Sequence, residues 1–449
     1  MAIDDPEKSV SASARAVRES RITETAMPRS ALTRMVAAAG LTNLADGVAL
    51  VAWAWLATLL TRDPLLVALP PVALRLPWLL LALPAGVVAD RVDRRRLLLV
   101  MDALRALAFG LAALGLWSAT PLPPAPPSGA SDPGLFALLI CCALLVGAAE
   151  VFRDTAAQTI LPAIVPAAAL ERANARLFTA EITGNALLGP ALGAFLIAAA
   201  VWLPFDTNAV LLVVAWAVVR GLSGRFAPPS RMRQDWRKDL GEGIAFMRGQ
   251  GVLQLLAAVT AVWNLFHQMV VIALVLHGQE NLGLDAPAYG MILAAGAFGG
   301  VTGGLVAERG VRRIGPGAAA RISSLCSAIG FALIGLAPDA LTLALALVFF
   351  EFTSIFWNVV SVSYRQRVVP GALLGRVNGI YRLLSWGSMA LGLLLSGVVV
   401  RAAETLVVRE TALIVPFALA ALAVLVLTIT VWRRLGRGFG ATAEAKRLD

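Results

Sequence analysis

Apolar runs of about twenty residues or more recur along the chain, each stopped by a short polar or charged stretch. They lie at about 32–60, 65–89, 97–117, 135–164, 170–200, 203–219, 252–277, 288–307, 318–336, 341–364, 373–400 and 411–432. At ~1.5 Å of rise per residue such runs match a hydrocarbon core about 30 Å thick. They predict an all-α polytopic membrane protein with twelve transmembrane helices. A closed β-barrel would show alternation in pieces of about ten residues instead.

The polar stretches between the runs are not equivalent. Basic residues gather in every second one: Arg91–Arg96, Arg172, the stretch 220–250, Arg309–Arg313, Arg365–Arg376 and Arg433–Arg447. The alternate stretches keep only scattered basics such as Arg62, Arg401 and Arg409. This is the positive-inside pattern, and it requires an even number of spans with both termini in the cytoplasm of a cell (inner or plasma) membrane. Residues 1–30 are polar and charged without an early apolar core, so they read as a cytoplasmic tail and not as a signal peptide. The expected organisation is that tail, a six-helix half at 31–219, a cytoplasmic linker at 220–250, a second six-helix half at 251–435 and a tail at 436–449. The linker carries Pro228-Pro229 and an amphipathic stretch at 240–247. Thr120 to Pro133, rich in Pro, Ser and Gly, is an exposed loop.

Composition agrees with a bilayer as solvent. Of the 449 residues 59% are hydrophobic and only 15% charged, and mean hydropathy is +0.78, against roughly half apolar and a quarter charged in soluble domains. The net charge of +10 follows the alternate loops and forms no basic face with interleaved aromatics, which argues against nucleic acid. Cys141, Cys142 and Cys326 lie in apolar runs with no metal spacing and no disulfide framework. No metal or cofactor is expected. His267 and His277 are the two histidines, and no zinc-protease, nucleophile-elbow or phosphate-loop motif occurs, which argues against an enzyme and against self-contained ATP-driven transport. A channel is disfavoured because no repeated filter motif is found.

The strongest internal signal is a duplication. Gly86-Val-Val-Ala-Asp90-Arg91-Val-Asp-Arg94-Arg95 returns as Gly304-Leu-Val-Ala-Glu308-Arg309-Gly-Val-Arg-Arg313, 218 residues later. A second pair, Pro166 to Asn174 and Pro370 to Asn378, is 204 residues apart and shares Pro, Ala, Leu, Arg and Asn. The loop at 120–133 accounts for the difference between the two offsets. One duplication with one insertion gives two six-helix halves in the same orientation, related by an axis along the membrane normal.

These residues resemble the major facilitator superfamily. Gly86-x3-Asp90-Arg91-x2-Arg94-Arg95 is similar to its loop motif between helices two and three, and Gly189-Pro190-x2-Gly193 is similar to the core of its antiporter motif. The resemblance extends to the branch of drug:proton exporters that holds macrolide, multidrug and enterobactin-type siderophore exporters. It implies that Gly86, Asp90, Arg91, Arg94 and Arg95, with Gly304, Glu308 and Arg309, form a cytoplasmic gate. Two positions depart from the pattern. Asp93 stands where a Gly is usual, and an Asp tolerates a left-handed turn there; Asn185 replaces a further Gly.

Ionisable residues at membrane depth are costly and face a cavity or a partner. Asp46, Glu150 and Glu181 are the proton-coupling candidates, with Arg75, Arg105, Arg153 and Asp154 as charge partners. Arg75 is a possible partner of Asp46, and Arg153 with Asp154 reads equally well as a fixed salt-bridge network. In the second half, Asn264, His267, Glu351, Asn358 and Arg382 are cavity candidates. The glycines between Gly296 and Gly304 predict close helix packing within the fold. The function expected is proton-coupled efflux of an amphipathic small molecule by alternating access, from a monomer whose partners are the substrate, protons and lipid. Uptake of a small solute, or a signalling membrane protein without flux, are the alternatives.

Overall fold

A computed structural model describes residues 29–89, 91–161, 164–165, 169–222, 226 and 236–448. The helices are α1 (Arg29–Leu60), α2 (Pro64–Ala89), α3 (Arg94–Ala119), α4 (Pro133–Ile160), α5 (Leu170–Glu181 and Gly189–Ala199) and α6 (Leu203–Arg220). The second half follows a short helix α7 (Trp236–Arg248), with α8 (Gly251–Glu280), α9 (Ala286–Ile314), α10 (Pro316–Leu336) and α11 (Ala340–Val368). The chain closes with α12 (Gly371–Ala403), α13 (Arg409–Ala412) and α14 (Val415–Leu448). Among the described residues, twelve helices are long and apolar enough to span a membrane. We call the end of the bundle carrying Arg91–Arg96 and Arg309–Arg313 the basic end, and the other the far end.

Local chemistry sets the helix starts. Asp132, Asp285 and Asp339 each accept a hydrogen bond from the backbone N–H three residues on, satisfying one of the orphan donors of a first turn. Pro133 and Pro287, early in α4 and α9, fill places where no N–H is needed. The Thr120–Pro133 loop folds back on the α1–α2 turn: Arg62 N donates to Pro126 O at 2.8 Å and Thr61 Oγ1 to Gly129 O at 2.6 Å.

One expectation changes, and two further features add to the sequence reading. Asp93 is not left-handed (φ −59°, ψ 118°); its carboxylate caps α3 through Arg96 N at 3.0 Å and holds Phe226 N at 3.1 Å. The two copies of the repeated decapeptide also differ in form. The first contains a helix end and a turn, whereas residues 304–313 are all helical and α9 stops only at Gly315, at φ +83°. Val311 occupies the place of Asp93 and offers no side-chain acceptor to start a new helix there. Finally, α14 continues as helix to Leu448, through the stretch expected to be a tail.

Helix α5 wraps α1 at close range. A Cβ on Gly47 would fall 2.5 Å from Asn185 O, and one on Gly189 2.5 Å from Gly47 Cα. The helix opens into a π-helical stretch, Ile182–Leu188, just before Gly189-Pro190. Proline removes a backbone donor, and the wider turn absorbs the register change. In the second half α9 packs on α11 in the same way: a Cβ on Gly303 would meet Phe352 O at 2.5 Å. The expected glycine face is therefore an internal contact.

Candidate functional site: a charged cavity between the halves

Between the halves lies a cavity of about 480 Å³. The first half contributes Asn43, Asp46 and Trp53 from α1, Arg75 from α2, Glu150 and Asp154 from α4, and Glu181 and Asn185 from α5. The second contributes His267 and Gln268 from α8, Tyr289 from α9, Phe350 and Glu351 from α11, and Trp386 from α12. The π-helical stretch places Asn185 on this wall, immediately after Glu181. A second cavity, of about 590 Å³, shares Asn43, Asp154 and Glu181 with the first and leads past Gln158 and Met35 toward the basic end.

Three arginines neutralise part of the acidic wall. Arg105, fully buried, bonds the Asp46 carboxylate, which is 19% exposed on its cavity side. Arg153 bridges the buried Asp102 at 3.1 Å and Asp154 at 3.2 Å. Arg75 stands 3.8 Å from Glu150. The partner of Asp46 is thus Arg105 and not Arg75, and Arg153 turns to α3 instead of to Glu150 on its own helix. Periodicity within one helix carries no information on either choice. Asp102, absent from the candidates the sequence offers, is the buried acceptor that holds Arg153.

At the far end the halves are joined. Arg62 donates to Gln279 Oε1 at 2.7 Å and lies 3.5 Å from Glu280; Gln279 donates to Thr58 Oγ1 at 2.8 Å. Arg409 holds Glu280 at 2.5 and 3.0 Å, bonds Glu404, and donates to Arg62 O at 2.8 Å. Arg401 adds a 3.7 Å pair with Asp63. In the sequence these arginines are scattered basics, because most of their acids lie 129 or more residues away along the chain. Deeper in, a Cβ on Gly397 would meet Leu65 Cα at 2.6 Å, and Trp78 packs edge-on against Trp386. On the basic side Arg382 donates to Gln158 at 2.8 Å.

The model of the Major Facilitator Superfamily matches residues 35–393. The chain belongs to the Major Facilitator Superfamily. Among curated relatives, the enterobactin exporter EntS of Escherichia coli O1:K1 is 24% identical over 324 residues, covering 70% of this chain and 71% of that protein. EntS of Shigella boydii serotype 18 matches at the same identity and coverage. A solved structure of a nucleoside transporter NupG mutant superposes with TM-score 0.71 at 12% identity, covering 90% of this chain and 99% of that one. A bacterial homologue of the iron transporter ferroportin, inward-facing, gives 0.67 at 16%, covering 90% and 98%. The protein is a multi-pass membrane transporter with the fold of that superfamily.

Within this transporter the remaining candidates separate. His267 and Glu351 face the cavity 3.9 Å apart, and the His267 ring lies parallel to those of Trp263 and Phe350, at 4.7 and 5.6 Å between ring centres, with Trp263 and Phe350 themselves 5.9 Å apart. Asn264 is buried and donates to Ser385, off the cavity wall. Asn358 is exposed and is not on that wall. Gly189 and Gly193 are packed against α1, while Pro190 reaches the cavity. In the loop motif Asp90 lies outside the described residues. Arg95 donates to Val219 O and Arg220 O, tying the start of α3 to the end of α6, and Arg91 is exposed. Glu308 pairs with Arg312 at 3.3 Å on an exposed helix face, beside an exposed Arg309. Among the described residues, a Cβ on Gly86 or Gly304 would meet nothing within 4 Å.

Proposed function

We propose that this transporter exports an amphipathic small molecule in exchange for protons, with the halves 31–219 and 251–435 rocking about the central cavity and 220–250 linking them. The observation that carries the proposal is Asp46, which faces the cavity while bonded to a fully buried Arg105. A proton taken up from the cavity neutralises the carboxylate and frees Arg105 to turn toward another acid. That is a local charge change able to bias two global states. Glu150, paired at 3.8 Å with Arg75, and Glu181 are the further coupling carboxylates. The exporter relatives support the direction of transport.

The basic end is assigned to the cytoplasm of a cell membrane by the positive-inside rule, with both termini inside and the chain acting as a monomer without nucleic acid. The closed far end and the vestibule toward the basic end then correspond to an inward-facing state. The basic stretches at 86–95 and 304–313 serve as the cytoplasmic gate. In proteoliposomes with an imposed pH gradient, Asp46→Asn, Glu150→Gln and Glu181→Gln are expected to reduce proton-driven substrate flux. Undiminished flux in all three overturns the coupling assignment.

A further inference from the structure

The cavity wall carries more negative than positive charge, and the excess is placed on opposite halves. Asp46, Glu150 and Asp154 each have an arginine: Arg105, Arg75 and Arg153. Arg153 also serves Asp102. Glu181 on α5 makes no ion pair or hydrogen bond among the described residues. Among the described residues Glu351 on α11 has only the His267 imidazole, at 3.9 Å. Two carboxylates without a guanidinium in hydrogen-bond or ion-pair range therefore look into one partly dehydrated space from the two halves, with Arg382 of α12 acting on Glu181 only at longer range. Such groups need a counter-charge, because an isolated anion at membrane depth is expensive.

The rest of the wall is suited to the body of a bulky cation. The parallel His267 and Phe350 rings, with Trp263 parallel to both behind them, adjoin Glu351, and Trp386 closes the α12 side. Aromatic faces attract cations through their quadrupole and also bury apolar surface. Trp53, 1% exposed and part of the wall, keeps its indole N–H without a partner among the described residues. An anionic ligand of the same size would add to the existing excess, and like charges brought together in such a site cost several kcal/mol.

Resting on the reading of this cavity as the transport site, we infer that the substrates are amphipathic organic cations, held between Glu181 and Glu351, and that organic anions are excluded. Exchange follows from charge balance: each carboxylate accepts either the cation or a proton.

Equilibrium dialysis against the protein in lipid nanodiscs, with empty nanodiscs subtracted, compares tetraphenylphosphonium with tetraphenylborate, ions of closely similar size and opposite charge. Saturable binding of the cation only is expected, weakened about tenfold or more by Glu181→Gln and by Glu351→Gln. Glu181→Asp and Glu351→Asp retain more of it, and elution volume and melting temperature check folding. Saturable borate binding, no saturable phosphonium binding, or undiminished cation affinity in both Gln variants overturns the inference. Tracer flux in proteoliposomes reads the transport proposal separately. A cation bound but never moved refutes transport and leaves the binding class standing; a neutral or anionic solute moved without cation binding does the reverse.

Discussion

Removing the Arg62 side chain tests how firmly the far end is held shut. Arg62→Ala deletes the 2.7 Å bond to Gln279 and the 3.5 Å pair with Glu280, and leaves the Arg409 bond to the Arg62 backbone in place. A hydrogen bond from a charged donor contributes about 1.5–3 kcal/mol. The Arg62 side chain is 36% exposed, so the lower part of that range applies, and the partly exposed ion pair adds a few tenths. A loss of ~2 kcal/mol from the closed state alone changes the closed-to-open ratio about 30-fold. If the far end is open in ~1% of molecules before substitution, it is open in roughly a quarter after it. Nitroxides on Ser118→Cys and Ala340→Cys, exposed far-end sites on opposite halves, report this as a second, longer distance by pulsed electron–electron resonance, with Cys141, Cys142 and Cys326 replaced by Ala. Arg62→Lys keeps the charge and should fall between. A distance distribution identical for Arg62→Ala and the parent would show that these contacts do not hold the two halves together.

Two further outcomes follow from burial and charge. Asp46→Asn strands the fully buried Arg105 and should destabilise the protein by ~3 kcal/mol. Adding Arg105→Gln should restore part of that loss, read by thermal or denaturant unfolding in detergent; strictly additive effects would mean that the two side chains are not coupled. Asp339, outside the spans, is held below the usual carboxylate range by the backbone N–H of Thr342, which it accepts at 2.9 Å. Since its folded value is depressed, the cap's contribution is present above the unfolded value of about 3.9 and is lost as pH falls through the folded one. Protection of the Thr342 amide, taken against its intrinsic exchange rate at each pH, should fall over that acid range, and Asp339→Ala should lack that protection at every pH.

The number of spans, their order and the basic end were legible in the chain because each depends on local quantities: length of apolar run, loop charge and repeat spacing. Helix starts at Asp132, Asp285 and Asp339 are local in the same sense. The depth of Asp46, Glu150 and Glu181 was legible too, since depth is counted along one helix, and all three line the cavity.

What required tertiary structure is pairing and conformation at chain breaks. A guanidinium reaches across helices to whichever carboxylate the packing presents, so Arg105 meets Asp46, Arg153 meets Asp102, and Arg409 meets Glu280 across 129 residues. No periodicity encodes those choices. The repeated decapeptide carries the same limit: its two copies look alike as strings. Yet one turns at an aspartate bonded to Phe226, and the other runs on as helix until Gly315. Likewise Glu181 and Glu351 are separate acids in the chain, and only the packing of α5 and α11 about one cavity makes them a pair.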